Sequence, residues 1–328
     1  MKLKDFDSFF KNLKNKNVYV GFSGGADSRL ILELSFYFRN KYHYKLQAIN
    51  FEHGIRGNQS IEDSEFCKKV CKQLQIPISV ISLNLCSNIK NLECVAREKR
   101  LDYYKKIAKE DKNHIILLGH HLDDKIENFF LRLTRGSNIS GLTSLNQYTY
   151  IDDVFIGRPL LSYSKIDIIN YMKSHNINYR TDNTNFDSNY HRNYLRNNLL
   201  INWFNKFAFA KGGIITSINN LKQDNDFIEK YSENKFKEVY KKFLLKEAIN
   251  IQFYQELHDA IKFRVLKKHI QLYDKNFEMK RGFFESFNKL INDYDNSNHK
   301  FLSINHRLNM VIKGYKIYIE TKNKFLII

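Results

Sequence analysis

The 328-residue chain is long enough for two domains, and a hydrophobic content of 43% excludes a disordered polycation despite a net charge of +18 from 53 basic and 35 acidic residues. No apolar run reaches the roughly 18 residues of a membrane span; the start MKLKDFDSFF lacks the apolar core of a secretion signal, and four cysteines do not make a disulfide scaffold. A cytoplasmic, strongly basic protein with a polyanionic partner is expected, the compositional alternative being AT-rich coding, visible in the Lys, Asn, Ile, Tyr and Phe content and the two prolines.

In chain order, residues 18–22 read as a β-strand, followed by a glycine turn and a helix through Leu30, Leu34 and Phe38. Residues 46–51 form a second strand, and Ser60 opens a helix with Asp63 as its capping partner. A third strand is predicted at 78–83, a helix at 93–109, a fourth strand at 115–119 and a helix at 122–135. Near-continuously apolar strands alternating with helices predict a doubly wound α/β domain on a parallel sheet, whose ligands bind beyond the carboxyl ends of the strands. Residues 136–161 read as loop, 165–175 and 188–200 as helices, and Gly212-Gly213 as a domain boundary. From there to about 291 the pattern is helical, and 301–328 reads as short strands around a turn at Lys313-Gly314. The expectation is a catalytic domain over 1–212 and a smaller, mainly helical domain with terminal strands over 213–328.

Two segments carry chemistry. Ser23-Gly24-Gly25-Ala26-Asp27-Ser28 follows the first strand and opens a helix. Two glycines let the backbone approach a ligand closely, amides at a helix start face an anion, and Ser23 and Ser28 add hydroxyl donors. Asp27 would repel a phosphate unless it holds a metal ion such as Mg²⁺ or orients the loop. The loop is neither a Walker-type phosphate loop nor a dinucleotide fingerprint. A plain glycine turn between strand and helix is the structural alternative. The second segment, Gly119-His120-His121-Leu122-Asp123-Asp124-Lys125-Ile126-Glu127-Asn128, follows the fourth strand. With a helix starting near Leu122, Asp124 and Glu127 share one face. Clustered carboxylates can bind Mg²⁺ or hold an ammonium group; an acidic first helical turn is the bland alternative. Arg192 and Arg196 lie at i, i+4, so both can face one ligand, or else form a solvated basic face.

The first loop resembles the signature of the PP-loop family, the N-type ATP pyrophosphatases, whose adenine-nucleotide hydrolase-like fold splits ATP between its α- and β-phosphates. The His-His-x-Asp-Asp-x-x-Glu segment is similar to the tRNA-modifying branch. Five further segments resemble the tRNA(Ile)-lysidine synthases: Phe51-Glu52-His53-Gly54-Ile55-Arg56, the helix Glu93 to Leu101 with Ala96-Arg97 and Arg100, Thr134-Arg135-Gly136-Ser137 with Gly141-Leu142, Arg158-Pro159-Leu160-Leu161, and Asp182-Asn183-Thr184-Asn185-Phe186-Asp187 leading to Tyr190-His191-Arg192-Asn193-Tyr194-Leu195-Arg196. The resemblance covers residues 15 to 200 and is weak beyond 215. It departs at Asn128, where the family has Thr, and longer members carry an extra C-terminal domain for which this chain leaves little room.

The resemblance implies ATP and Mg²⁺ as cofactors and ligation of L-lysine to C2 of the wobble cytidine of tRNA(Ile) with a CAU anticodon, through an adenylated cytidine. It implies Ser23, Gly24, Gly25, Ala26, Asp27 and Ser28 as the nucleotide loop, Asp27 as the Mg²⁺ ligand, and Asp27, Asp124, Glu127 and Arg192 as catalytic residues. His53, Arg97, Asp123 and Arg196 are then substrate contacts, with Arg100 a weaker candidate. No membrane partner is expected; a homodimer is compatible with the sequence. A cytidine 2-thiolase of the same family would want a Cys-x-x-Cys pair, whereas Cys67 and Cys71 are separated by three residues and Cys86 and Cys94 form no such pair. The same absence argues against a zinc nucleobase deaminase. A basic RNA-binding scaffold with a vestigial loop is the non-enzymatic alternative. Residues 201–328 hold 23 basic and 14 acidic residues against 30 and 21 in the longer first part, so the second domain is expected to hold the tRNA.

Overall fold

The computed structural model describes residues 1–52, 58–85, 92–180, 191–243, 246–295 and 299–322. Its elements begin with α1 (Asp7–Lys11), β1 (Asn17–Gly21), α2 (Ala26–Tyr42), β2 (Lys45–Glu52), α3 (Asn58–Gln73), β3 (Ile78–Ser82), α4 (Leu92–Glu110), β4 (His114–Leu117) and α5 (Leu122–Leu133). The short α6 (Ile139–Leu142), β5 (Tyr148–Ile151), β6 (Val154–Gly157) and α7 (Lys165–Ser174) follow. The six strands form one sheet in the order β3-β2-β1-β4-β6-β5. All neighbours are parallel except the β5–β6 hairpin at the edge. The chain order reverses between β1 and β4, and the carboxyl ends of these two strands open the crevice where ligands of such sheets bind.

Side chains of the inner strands β2, β4 and β6 are buried on both faces, as a parallel sheet covered by helices requires, while those of the edge strands β3 and β5 are only partly buried. Val18, Val20, Ala48, Ile115 and Leu117 pack with Leu30, Leu34 and Phe38 of α2 and with Phe10 of α1. Ile49, Ile116, Val154 and Ile156 pack on the other face with Tyr104 and Ala108 of α4. The doubly wound α/β fold expected from the sequence is therefore present.

The stretch expected as loop between 136 and 161 differs. It contains β5 and β6, joined at Ile151↔Val154 by a two-residue turn in which Asp152 and Asp153 have φ of 48° and 67°. Two successive left-handed residues are the signature of a tight hairpin, and Asp tolerates them. After α8 (His191–Tyr194) the helix expected through residue 200 widens into a π-helical turn, Leu195–Leu200, before α9 (Ile201–Lys206) and α10 (Ala210–Val239).

Two units divide the chain at Asn219 and Asn220, within α10. Gly212 and Gly213, read from sequence as a boundary, are helical residues of α10 instead. The second unit holds β7 (Tyr240–Phe243), β8 (Lys246–Asn250), α11 (Ile251–Gln255), α12 (Asp259–Gln271), α13 (Arg281–Asn292), β9 (Lys300–Ser303), β10 (Leu308–Lys313) and β11 (Lys316–Thr321). Its sheet runs β7-β8-β11-β10-β9, with every pair antiparallel. Ile261, Val265 and Ile270 of α12 and Phe284, Phe287 and Ile291 of α13 pack against Met310, Ile312 and Ile317. The hairpin at Lys313-Gly314 is where the sequence placed it, with Gly314 at φ 56°. β7 and β8 fall inside the stretch expected to be helical.

Candidate functional site

The loop after β1 is held from behind. The Phe22 N–H donates to the Ile49 carbonyl at 2.8 Å, and the Phe22 carbonyl accepts from the buried Asn50 Nδ2 at 2.8 Å. Gly24 has φ +85°, and a Cβ there would meet Phe66 and Cys67 at 3.4 Å, so only glycine fits without strain. Gly25 is the N-cap of α2. Ser28 Oγ accepts from the Ser23 N–H at 3.2 Å and donates to the Gly25 carbonyl at 3.0 Å, with Ser23 Oγ 3.1 Å away. Ser28 thus braces the loop as a closed ring at the start of a 17-residue helix, a place whose N–H groups and dipole favour an anion.

These residues form one wall of a cavity of about 400 Å³, within the roughly 300–1,000 Å³ of small-molecule sites. Ser23, Gly25, Asp27 and Ser28 line it on one side; Arg97, Arg100, Arg158 and Arg192 line it on others. Phe51, Tyr104 and Ile156 supply apolar wall. The arrangement is a helix start facing four guanidinium groups, with apolar side chains on a further wall.

Gly119 closes the gap between β4 and the loop. A Cβ there would lie 3.0 Å from Asp27 Cβ and 3.2 Å from the Ser28 amide nitrogen. The next residue, His120, lines the cavity and accepts from Arg158 Nε through Nδ1 at 3.3 Å. Burial pushes its pKa down to about 4, and the charges of Arg158, Arg192 and Arg97 add to that against the pull of Asp124. At neutral pH His120 is therefore an uncharged imidazole whose Nε2 carries the proton and can donate. Arg158 is buried and bonds the Asn146 carbonyl and Thr149 Oγ1, both at 2.9 Å. Its burial and the nearby Arg97 lower its pKa to about 10.

Asp124 and Glu127 share one face of α5, as their spacing implied, and both arginines of the 192–196 segment meet them. Arg192 donates to Glu127 Oε2 at 2.7 Å and Asp124 Oδ1 at 2.6 Å. Arg196 donates to Glu127 Oε1 at 2.6 Å and Oε2 at 3.0 Å. Asp124 Oδ2 also accepts the His121 N–H at 2.8 Å, capping α5. Burial opposes ionisation of Asp124, yet His121, Arg192 and His120 outweigh it and hold the carboxyl below its usual range. Burial likewise opposes charge on Arg192 and Arg196, and the two carboxylates raise both guanidinium pKa values above the ordinary one. The cluster is two carboxylates and two guanidiniums, nearly neutral overall. Only Arg192 of the four lines the cavity.

Asp27 departs from the simplest reading. Both of its oxygens take Lys165 Nζ at 2.7 Å. The Lys165 N–H in turn donates to Asp123 Oδ2 at 2.7 Å, and Asp123 Oδ1 pairs with Lys211 Nζ at 2.5 Å. Asp123 is thereby a cap and anchor for α7 and is absent from the cavity lining. Among the described residues no three His, Cys, Asp or Glu side chains are grouped to hold a metal ion. Ala26 packs into the core, and Asn128 Nδ2 donates to Ser144 Oγ at 3.4 Å. His53 and the 182–187 segment lie outside the described residues. The sequence singled out the 119–128 segment without giving Gly119 or His120 a role of its own, and it placed Arg158 in a matched motif; Lys165 carried no signal in the sequence.

A profile of the PP-loop domain matches residues 2–202. The chain belongs to the PP-loop family. Among relatives of this PP-loop protein, the tRNA(Ile)-lysidine synthase of Clostridioides difficile (strain 630) is 35% identical over 276 residues, 80% of this chain and 58% of the relative. That of Buchnera aphidicola subsp. Baizongia pistaciae is 29% identical over 317 residues, 96% of this chain and 68% of the relative. The chain thus spans about three fifths to two thirds of these curated relatives. Among solved structures, the U34-tRNA thiolase NcsA from Methanococcus maripaludis, with its [4Fe-4S] cluster, superposes with a TM-score of 0.55 at 18% identity, over 67% of this chain and 79% of that one. This likeness establishes the shared fold. Burial pushes the Cys67 and Cys71 thiols of this PP-loop protein up to about 12 and 11, so neither is a ready thiolate.

Proposed function

We propose that the protein ligates free L-lysine to C2 of the wobble cytidine of tRNA(Ile) with a CAU anticodon, using ATP and releasing AMP and pyrophosphate. The observation that carries this reading is the cavity in which the 23–28 loop faces Arg97, Arg100, Arg158 and Arg192, in a chain whose motifs and relatives point to lysidine synthesis.

The loop amides and the Ser23 hydroxyl bind the β- and γ-phosphates, and the adenine ring lies on the apolar wall. Cytidine O2 attacks the α-phosphate, the bond to the β-phosphate breaks, and pyrophosphate leaves. The arginines and the Nε2–H of His120 stabilise the charge that builds on the phosphate oxygens. The lysine ε-amine, having lost a proton, then attacks C2, and AMP departs with the former O2. Asp27 lines the cavity and is the carboxylate that would hold Mg²⁺, exchanging its contact with Lys165 Nζ for the ion; the ion would offset phosphate charge there. Asp124 and Glu127 act by holding Arg192 on the cavity wall, because their oxygens are committed to the two guanidiniums. This replaces the expectation that they grip the lysine ammonium directly. Asp123 and Arg196 brace α7 and Glu127 respectively. The second unit contributes basic contacts to the tRNA body, and the substrates place the protein in the cytoplasm.

The test is incubation with ATP, labelled lysine and unmodified tRNA(Ile). AMP and pyrophosphate formed in step with lysine entering the tRNA supports the proposal. Turnover that ignores lysine and incorporates sulfur would sink it in favour of a thiolase.

A further inference from the structure

Arg180 lies against the phosphate-binding loop without lining the cavity. It forms an isolated parallel bridge with Gly25, and its N–H donates to the Gly24 carbonyl at 2.9 Å. Its guanidinium reaches α3, with Nε bonded to Asp63 Oδ1 at 2.8 Å and Nη2 to Glu62 Oε2 at 3.1 Å. In a trans peptide the carbonyl and the following N–H point in opposite directions. Fixing the Gly24 carbonyl on Arg180 therefore turns the Gly25 N–H away from Arg180, and Gly25 is a residue of the cavity lining. Gly24 has φ +85°, and glycine's freedom makes the Gly24–Gly25 peptide the softest of the loop. A flip of that peptide would present a carbonyl oxygen where a phosphate must sit.

We infer that Arg180 is a positioning residue of the phosphate-binding loop, holding the Gly24–Gly25 peptide in its anion-binding orientation, with Asp63 and Glu62 of α3 as its anchors. The inference rests on the reading of this loop as the ATP site. Asp63, expected from sequence to cap a helix opened by Ser60, lies within α3, which starts at Asn58, and its task here is different: α3, the loop and the chain at Arg180 are tied at one point. The ion pairs are partly solvated, with Arg180 41%, Asp63 35% and Glu62 62% exposed. Such pairs add little to stability, so the arrangement separates positioning from folding.

Arg180→Ala keeps the N–H but releases the anchor, and Asp63→Asn weakens it from the other end. Equilibrium ATP binding by the full chain reads the effect. Arg180→Ala should raise the Kd for ATP about tenfold, the loss expected when one amide no longer meets a charged phosphate. Asp63→Asn should give a smaller rise and add little on top of Arg180→Ala, and Arg180→Lys should recover part of the affinity. The Kd for tRNA and the melting temperature should stay near those of the unsubstituted protein. ATP bound equally by all variants, or a fall in melting temperature with ATP affinity unchanged, would overturn the inference. Absence of ATP binding by the unsubstituted protein would instead overturn the ATP reading itself, and this inference with it.

Discussion

Glu127→Ala should both destabilise the first unit and slow the reaction. The substitution removes the acceptor of three hydrogen bonds, from Arg192 Nε at 2.7 Å and from Arg196 Nε and Nη2 at 2.6 and 3.0 Å. The Glu127 side chain is 1% exposed, whereas both arginines keep 35% of theirs in water. Removing one partner of a fully buried pair costs about 3–5 kcal/mol; solvent screening of the guanidiniums places this case near 2–3 kcal/mol. Asp124 still holds Arg192 at 2.6 Å, which keeps the loss from reaching the upper end. The chain's one tryptophan, Trp203 of α9, packs edge-on against Phe130 of α5, the helix that carries Glu127, with 5.5 Å between centroids. Its fluorescence in a urea titration therefore reports this region, and with a slope of about 2 kcal/mol per molar the midpoint should fall by about 1 M. Glu127→Gln, which keeps shape and one acceptor, should fall less. A midpoint unchanged within about 0.2 M for Glu127→Ala would refute the idea that the cluster is a structural brace for Arg192.

Further outcomes follow from other parts of the site. Gly119→Ala should lower the rate and weaken ATP binding at a stability cost of about 1–3 kcal/mol, because its Cβ would push against Asp27 and the Ser28 amide; a kinetically normal variant would contradict the close approach. Asp27→Ala and Asp124→Ala should abolish lysine transfer while filter-binding of tRNA persists, and loss of tRNA binding by a folded variant would contradict that division. His269 is fully buried, neither ring nitrogen has a hydrogen-bond partner among the described residues, and burial pushes its pKa from 6.5 down to about 4. The unfolded chain therefore takes up a proton that the folded second unit refuses. Stability should fall as pH drops from about 6.5 to 4, by up to about 3 kcal/mol; His269→Phe should flatten that slope, and an equal slope in both proteins would refute the assignment. With a net charge of +18, tRNA affinity should fall steeply with salt, and a salt-independent Kd would count against an electrostatic role for the basic surface.

The first four strands were legible because each is an apolar run bounded by turn residues, and strands buried on both faces have no other composition open to them. The loop and α5 were legible because glycine, serine and carboxylates there answer to local rules of helix starts. β5 and β6 were hidden by their shortness and by the glycines around them, although Asp152-Asp153 was a readable hairpin turn. β7 and β8 were hidden for the opposite reason. Lys241, Lys242, Lys246 and Glu247 suit a helix, and strand pairing with β11, at Ile249↔Ile317, decides the matter through contacts far apart in sequence. The ion pair of Asp27 with Lys165 and the saturation of Asp124 and Glu127 by arginines were illegible for the same reason. Spacing tells which residues share a face, and only the folded chain tells which opposite charge arrives there.

In the proposed reaction one cavity activates a cytidine with ATP and then delivers lysine to it. Mass analysis of the nucleosides released from tRNA(Ile) with a CAU anticodon, after reaction with ATP and isotopically labelled lysine, tests it most directly. The wobble cytidine alone should carry the label, joined through its C2, and omission of either ATP or lysine should leave it unmodified. A wobble cytidine that stays unmodified with both present, or that gains sulfur, would contradict the account.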